Sequence, residues 1–343
     1  MAANRRRGLR RPARVDALVP DFVEALGGGV YAIDTGFNRP RFDAAYLIVQ
    51  EGRAAFVDTG TNYSVPRLLQ ALDALGLARS AVDHVIPTHV HLDHAGGVGL
   101  LMAELPQATV LVHERGARHL VDPSALYLGA TAVYGAPEME RTYGCLVPVA
   151  AQRIQTTHDG MALDWHGRAL RFIDTPGHAR HHHSIWDGHT RAWFTGDTFG
   201  LSYHVFDTEA GPWVMPTTTP VQFEPEALKH SIGRLIESDP QAMYLTHYSR
   251  VEQPRVHARR LLRLIDEMVR IGQEHARLPP DQRHSTYKAA LRECLLQDLR
   301  RHGVDEALIQ NGTADDWLAL DVELNAQGLA IWIDKQASST RQG

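Results

Sequence analysis

The segment Thr88-His-Val-His-Leu-Asp-His94 concentrates metal-binding side chains in one short stretch. It follows the apolar run His84-Val-Ile86 and precedes Gly96-Gly97, so we expect it to form a loop directly after a strand. Imidazole nitrogen and carboxylate oxygen are ligands that suit Zn²⁺, with iron and manganese as alternatives. Four such groups within six residues are too close together to saturate one tetrahedral ion, so the motif predicts part of a two-metal site. The four groups are His89, His91, Asp93 and His94.

Three further side chains of the same kind each follow another apolar run. His178 comes after a Pro-Gly turn behind Leu170-Arg-Phe-Ile173, Asp197 follows the run ending at Phe194, and His247 follows Met243-Tyr-Leu245. Each alone is a weak signal, because a single His or Asp at a strand end is usually only a polar loop residue. Together, and in this order, they favour a metal site assembled from the ends of several strands.

The composition is that of an ordinary folded protein. The 343 residues carry 35 Lys plus Arg and 40 Asp plus Glu, a net charge of −5, and 44% of them are hydrophobic. The acidic balance argues against a broad nucleic-acid-binding surface, and no apolar run is long enough to predict a membrane span. Cys145 and Cys294 are too few for a disulfide framework or an iron–sulfur cluster. We therefore expect a cytoplasmic protein with a small-molecule substrate and neither a nucleic acid nor a membrane as partner.

Changes in residue pattern divide the chain into three parts. Residues 1–16 are rich in arginine and predict a disordered basic leader, with a transit peptide as the alternative. Residues 17–253 mix strand and helix patterns, which predicts an α/β domain with sheets in its core. Residues 254–343 carry only long amphipathic patterns and predict a helical C-terminal extension.

Several elements can be predicted individually. Ala45–Val49 and Ala54–Val57 flank Glu51-Gly52 and predict a β-hairpin, and the spacing of apolar residues predicts a helix over 65–77. The predicted helices further along the chain are 98–105, 225–238, 255–277, 284–301 and 315–335. In the run His181-His-His183 we expect at least one exposed side chain, because successive residues of a strand face opposite sides.

The ordered motif set resembles that of the metallo-β-lactamase superfamily, and in particular its glyoxalase II-like branch. The resemblance spans about residues 30–250 and implies an αββα sandwich with the metals at one edge of the sheets. It implies that His89, His91 and His178 hold one metal, that Asp93, His94 and His247 hold a second, and that Asp197 bridges the two. Val57-Asp-Thr-Gly60 matches an early element of the family, in which Asp58 would orient a ligand histidine through a hydrogen bond.

The resemblance also implies a reaction. Two zinc ions per chain, with iron or manganese as alternatives, would share a hydroxide that attacks the carbonyl of a thioester, an ester or a lactone. Asp93 would orient this hydroxide and later pass a proton to the leaving group. Two alternatives stay open at this point. One is a persulfide dioxygenase, which shares the motif but uses a single iron, and the other is a regulatory or interaction protein on the same fold.

Substrate contacts are expected near the metal ligands in sequence. Tyr203 follows Asp197 closely and is the candidate for a donor to an oxyanion or to the substrate, while Tyr248 and Arg250 follow His247. The helical extension would either cap the substrate pocket or form the interface of a homodimer.

Overall fold

Two mixed β-sheets stacked against each other form the centre of the structure, a computed structural model that describes residues 19–340. In chain order the first sheet comprises β1 (Val23–Gly27), β2 (Val30–Asp34), β3 (Ala44–Gln50), β4 (Arg53–Val57), β5 (Val82–Ile86), β6 (Thr109–His113) and β7 (Ile154–Thr157). The second has the order β15 (Ser249–Glu252), β14 (Ala242–Leu245), β11 (Ala192–Gly196), β10 (His183–Asp187), β9 (Arg168–Asp174) and β8 (Ala162–Trp165). A separate small ribbon pairs β12 (Leu201–Ser202) with β13 (Val214–Met215).

Helices cover the outer faces of both sheets. Those before the second sheet are α1 (Val65–Ala74), α2 (Leu92–Ala95), α3 (Val98–Glu104), α4 (Glu114–Val121), α5 (Ser124–Tyr134) and α6 (Ala136–Thr142). Those later in the chain are α7 (Pro225–Glu237), α8 (Pro254–Glu274), α9 (Pro280–His302), α10 (Glu306–Gln310) and α11 (Thr313–Thr340). The predicted αββα sandwich is confirmed, while the predicted leader, residues 1–16, lies outside the described residues.

The alternation of side chains along each strand separates the core into layers. In β3, Leu47 faces α1 and α3, whereas Tyr46 and Ile48 face the second sheet. In β11, Phe194 faces the first sheet and Trp193 faces the outer helices. Each central strand is therefore buried on both faces, which explains why these runs contain almost no polar residues.

Strand direction brings the loops after β4, β5, β9, β11 and β14 to one edge of the sandwich. β9, β11 and β14 all run the same way, since β9 and β11 are each antiparallel to β10, and β11 is parallel to β14. In the first sheet β4 and β5 are also parallel. A backbone hydrogen bond of 3.0 Å from His183 to the carbonyl of Thr88 joins the two sets of loops. The segments that follow these five strands consequently meet at a common edge.

The C-terminal helices form the outer layer over the second sheet. Leu261 and Ile265 of α8 and Leu329 of α11 share a core with Trp193 and Leu245 of the sheet. Leu295, Leu296 and Leu299 of α9 share a second core with the β12–β13 ribbon and α11. The apolar stripes of the extension are thus covered by other parts of the same chain, and the homodimer remains a prediction. The boundary at residue 254 also remains a prediction as a domain division.

The predicted hairpin is confirmed as β3–β4, and the predicted helices correspond to α1, α3, α7, α8, α9 and α11. Helices α4, α5 and α6, which fill residues 114–142, are additional to the predicted elements. In the described part of the chain, no helix combines the length and the apolarity needed to span a bilayer.

Candidate metal centre

All seven side chains that the motif set singled out as ligands meet at the common edge of the sheets. His89 and His91 follow β5, and Asp93 and His94 lie on the short helix α2 immediately after them. His178, Asp197 and His247 follow β9, β11 and β14. Three overlapping groups each bring their potential ligand atoms within 4.8 Å of one another: His89, His91 and His178; His89, His94 and Asp197; Asp93, His94 and His247.

Three imidazole nitrogens converge in the first group. Nδ1 of His91 lies 2.7 Å from Nε2 of His89 and 3.2 Å from Nε2 of His178. Burial, reinforced by the neighbouring histidines, holds the pKa values of His89 and His91 well below the usual range. Histidine binds a metal in its neutral form, through the lone pair of a ring nitrogen. Neutral imidazoles in contact with each other direct such lone pairs at a shared point.

Asp197 lies between this group and the second one. Its Oδ2 is 3.2 Å from Nε2 of His178, and its Oδ1 is 3.2 Å from Nε2 of His94. On the far side, Oδ2 of Asp93 is 3.4 Å from Nε2 of His247. Ligands about 2.0–2.1 Å from a tetrahedral Zn²⁺ lie about 3.3 Å from one another, so these separations suit a carboxylate shared by two ions.

Hydrogen bonds on the outer side of the imidazole rings fix which nitrogen faces the centre. Nδ1 of His247 is 3.0 Å from the carbonyl of Phe42, and a carbonyl can only accept, so the ring donates there and turns the Nε2 lone pair inward. Nδ1 of His94 in the same way contacts Oδ2 of Asp58 at 2.8 Å. The structure therefore places Asp58 within hydrogen-bond distance of His94, one of the histidines proposed as ligands.

The charges around His94 and His247 are those of a cation site. Burial alone would lower both histidine pKa values, but the surrounding carboxylates, Asp197 foremost, raise that of His94 well above its usual value and that of His247 to about 10. Nε2 of His94 and Oδ1 of Asp197 are buried without a hydrogen-bond partner among the described residues. Their 3.2 Å approach lacks hydrogen-bond geometry, so both atoms are left for a ligand that the protein does not supply. The donor set fits a pair of divalent cations.

The histidine run behind this centre is buried throughout, so the expectation of an exposed member is wrong. His181, His182 and His183 are 7%, 0% and 0% exposed. Only His183 belongs to β10, and the loop before that strand can turn the other two rings inward as well. Nε2 of His182 accepts the backbone N–H of Asp197 at 3.2 Å, which fixes the loop that carries this carboxylate.

A cavity of about 460 Å³ opens over the cluster. Its floor includes His91, Asp93, Asp197 and His247, and its walls come from loops of both sheets and from α5 and α11. This volume falls within the range of small-molecule sites, and the contribution of α11 shows that the helical extension covers the cavity as well as the sheet.

The three predicted substrate contacts lie in different places. Tyr203 lines the cavity, and its hydroxyl donates to Oδ2 of Asp321 at 3.0 Å, so that proton is already engaged. Tyr248 packs between the sheets at 3% exposure, and Arg250 extends outward to pair with Glu252 at 3.0 Å. Neither Tyr248 nor Arg250 is among the residues that line the cavity, and the role of all three residues as substrate contacts stays a prediction.

Asp321 on α11 is a cavity residue that the sequence analysis missed. It is 6% exposed, and burial raises the pKa of its carboxyl group to about 7. A signal was available, because Asp321 falls on the apolar stripe of α11 between the buried residues Leu318 and Val322. A lone acid on such a stripe must meet a partner or a cavity, since an unpaired buried carboxylate is costly.

Comparisons with known proteins give the same assignment as the geometry. Residues 38–247 match the profile of the family described as the metallo-beta-lactamase superfamily. A metallo-beta-lactamase fold-containing protein of Sulfurisphaera tokodaii is 29% identical over 225 residues, covering 64% of this chain and 78% of that protein. A hydroxyacylglutathione hydrolase of Aeromonas hydrophila is 31% identical over 161 residues, covering 46% of this chain and 48% of that enzyme, so the match spans about half of it.

A solved structure supports the fold over a longer stretch. A metallo-beta-lactamase family protein of Thermus thermophilus superposes with a TM-score of 0.60 at 25% identity, covering 81% of this chain and 95% of that one. The αββα layers, the converging histidines and aspartates and the family profile lead to one conclusion: the chain belongs to the metallo-beta-lactamase superfamily.

Proposed function

We propose that this protein is a metal-dependent hydrolase with two divalent cations, zinc by preference, that cleaves a thioester, an ester or a lactone. The observation that carries the proposal is the position of Asp197, whose two carboxylate oxygens face separate groups of histidines. A carboxylate placed in this way suits a two-cation centre. The relative named as a hydroxyacylglutathione hydrolase supports acyl-bond hydrolysis as the reaction class.

The proposed ligands form two groups, one for each cation. His89, His91 and His178 would hold one cation, and Asp93, His94 and His247 the other. Asp197 would bind both, and Asp58 would orient His94. When bound, such a pair of cations lowers the pKa of a water molecule held between them and polarises the carbonyl group under attack.

Asp93 is the residue we assign to proton transfer. Its side chain lines the cavity and is 25% exposed, whereas Asp197 is nearly covered. In the reaction, a water oxygen forms a bond to the acyl carbon, and the bond from that carbon to the leaving sulfur or oxygen breaks. Asp93 would accept a proton from the attacking water and deliver it to the leaving atom.

The mononuclear-iron alternative needs only two histidines and one carboxylate, and here Asp93, His94 and His247 form a second complete group. A dioxygenase that shares the motif can keep this second group without using it. The two-cation proposal therefore rests on the position of Asp197, and metal content separates it from the single-iron alternative. An interaction protein, in contrast, would have no need for a cavity that opens directly over the cluster.

The proposal is tested by substituting Asp197. Metal content is measured by plasma mass spectrometry on tag-free protein, and hydrolysis is measured with a panel of thioesters, esters and lactones. We expect about two zinc ions per chain in the wild type, and in Asp197→Ala loss of metal with a fall in kcat/KM of roughly a thousandfold or more. His158→Ala, which removes an exposed histidine outside the proposed ligand set and the cavity lining, serves as the control and keeps both properties.

Three results would contradict the proposal. An Asp197→Ala protein with full metal content and full turnover would exclude the two-cation mechanism. About one iron per chain, together with oxygen consumption on a persulfide, would instead establish the dioxygenase. A protein with two zinc ions but no hydrolysis of any member of the panel would leave the metal site intact and refute the reaction class.

A further inference from the structure

The described side chains that line the cavity over the proposed metal ligands include acids but no permanently charged base. Asp93, Asp197 and Asp321 line it, and none of the described residues that line it is a lysine or an arginine. Its other ionisable lining residues are tyrosines and histidines, and most of the histidines belong to the proposed ligand set. A substrate with a negative charge remote from its reacting carbonyl would therefore find no side chain to neutralise that charge.

Arginines near the cavity are already engaged elsewhere. Arg67 and Arg141 line a neighbouring hollow, where Arg67 pairs with Asp34 at 3.4 Å and Arg141 pairs with Glu138. Arg39 stacks on Trp317, with its guanidinium carbon 4.4 Å from the ring centre. Arg67 and Arg141 therefore have partners outside the cavity. Arg39 is not one of the lining residues but lies close enough to favour the charged form of Asp321, and its guanidinium carbon is also 5.9 Å from the ring centre of Phe42.

The remaining walls are mostly apolar. Phe37 and Phe42 come from the loop between β2 and β3, Leu126 from α5, and Leu320 and Leu324 from α11. Among these residues Asp321 is a single charged group, held by the hydroxyl of Tyr203. Asp321 is 6% exposed, so little water separates its carboxyl group from a charge placed beside it.

We propose that the cavity selects uncharged, mainly apolar substrates, and that Asp321 is a specificity-determining residue that excludes anionic ones. The inference rests on the proposed acyl hydrolysis and narrows its substrate class. It predicts that acyl groups or leaving groups ending in a carboxylate or sulfonate, glutathione among them, are poor substrates. Apolar acyl derivatives of neutral thiols or alcohols are the preferred ones.

Matched thioesters test this selection with the metal-loaded enzyme. One pair joins butanoate to either N-acetylcysteamine or 3-mercaptopropanesulfonate, and a second pair joins N-acetylcysteamine to either butanoate or 3-sulfopropanoate. Sulfonate is the chosen anion because it is a weak metal ligand. The ratio of kcat/KM values is the readout, since unproductive binding does not affect it. We expect the neutral member of at least one pair to be favoured about tenfold or more, as like charges repel strongly in a cavity of low dielectric constant.

Asp321→Asn identifies the residue responsible. The assays are run at about pH 8.5, where a carboxyl group with a pKa of about 7 is ionised. The variant keeps an oxygen that can accept the Tyr203 hydroxyl but removes the charge, so we expect the preference for the neutral substrate to shrink by roughly tenfold. Asp316→Asn removes an exposed carboxylate from the same helix outside the cavity and leaves the ratio as in the wild type. Circular dichroism of both variants checks that the fold is retained.

Binding provides a readout that does not depend on turnover. N-butylbutanamide and N-(3-sulfopropyl)butanamide resist hydrolysis and differ only in the terminal group, and ligand-observed NMR compares their affinities. The neutral amide is expected to bind more tightly than the sulfonate to the wild type. The difference between their affinities should be smaller in Asp321→Asn. Three outcomes would overturn the inference. They are equal or tighter binding of the sulfonate, a preference for the neutral amide that Asp321→Asn does not change, and no binding of either amide. If the neutral amide binds but no neutral thioester is cleaved, the proposed reaction fails while the selection by charge stands.

Discussion

Asp58 connects parts of the chain that are distant in sequence. Its carboxylate accepts the backbone N–H of Thr88 at 2.7 Å, Nδ1 of His94 at 2.8 Å and the hydroxyl of Thr246 at 2.7 Å. Thr88 belongs to the loop after β5 and Thr246 to the loop after β14, so one side chain bonds to both sheets. Such a residue can influence a ligand without contacting the cation itself.

Substitution of Asp58 by Asn should weaken metal binding. The amide keeps the shape of the side chain but loses the charge that holds His94 in its ligand orientation, so we expect the dissociation constant for zinc to rise about 10–100-fold. Competition with a chromophoric chelator measures this change. Asp73→Asn removes an exposed carboxylate of α1 and is the matched control, with unchanged affinity. Equal zinc affinity in Asp58→Asn and the wild type would show that the hydrogen bond to His94 has no such role.

At the scale of single elements, α8 contains a histidine that the fold keeps neutral. Burial, assisted by Arg260 and His302, lowers the pKa of His257 to about 4, and its Nδ1 has no hydrogen-bond partner among the described residues. In the unfolded chain the pKa of a histidine is about 6.5, so between these values the unfolded state binds the extra proton. The free energy of unfolding therefore falls as the pH falls from about 6.5 to 4, and this contribution is restored above that window.

His257→Gln should reduce this pH dependence. Glutamine retains a donor for the hydrogen bond to the Glu252 backbone but does not titrate. Between pH 7.5 and pH 5, we expect the wild type to lose about 2 kcal/mol more free energy of unfolding than the variant does. Urea titrations with EDTA present at both pH values measure this and keep metal release out of the comparison. The same pH slope in both proteins would contradict a neutral, buried His257.

The elements also show what can be predicted from the sequence and what cannot. The ligand cluster is predictable because His89, His91, Asp93 and His94 are adjacent in the chain and because His178, Asp197 and His247 each end an apolar run. Asp321 could be expected only to need a partner, since its place beside Tyr203 depends on how α11 packs across the second sheet. The place of Tyr248 could not be predicted, because proximity to His247 in sequence does not fix the direction of its side chain, which turns into the core.

At the scale of the whole molecule, the proposed metals would join the two sheets. His89, His91, Asp93 and His94 follow a strand of the first sheet, whereas His178, Asp197 and His247 follow strands of the second. A cation that binds this set and binds the unfolded chain poorly stabilises the native state by mass action, by about 4 kcal/mol at a thousand times its dissociation constant. The stability of the sandwich should therefore depend on its metal content.

Removal of metal with EDTA is expected to lower the Tm of the wild type by roughly 5–10 °C. Thermal melts followed by circular dichroism, with and without the chelator, measure the shift. His178→Ala, which removes one ligand of the first group, should melt at a lower temperature and respond less to EDTA. A wild-type Tm that does not respond to complete removal of metal would show that the centre makes no contribution to stability.

The position of α11 has a consequence for how this protein can change over generations. One face of the helix places Leu329 in the core of the second sheet, and another places Leu320, Asp321 and Leu324 in the cavity wall. A substitution that repacks the first face also displaces the second. Mutations in α11 are therefore expected to change the stability of the fold and the substrate preference together. Directed evolution toward a new substrate should accordingly find its mutations in α11 accompanied by compensating changes in the sheet beneath it.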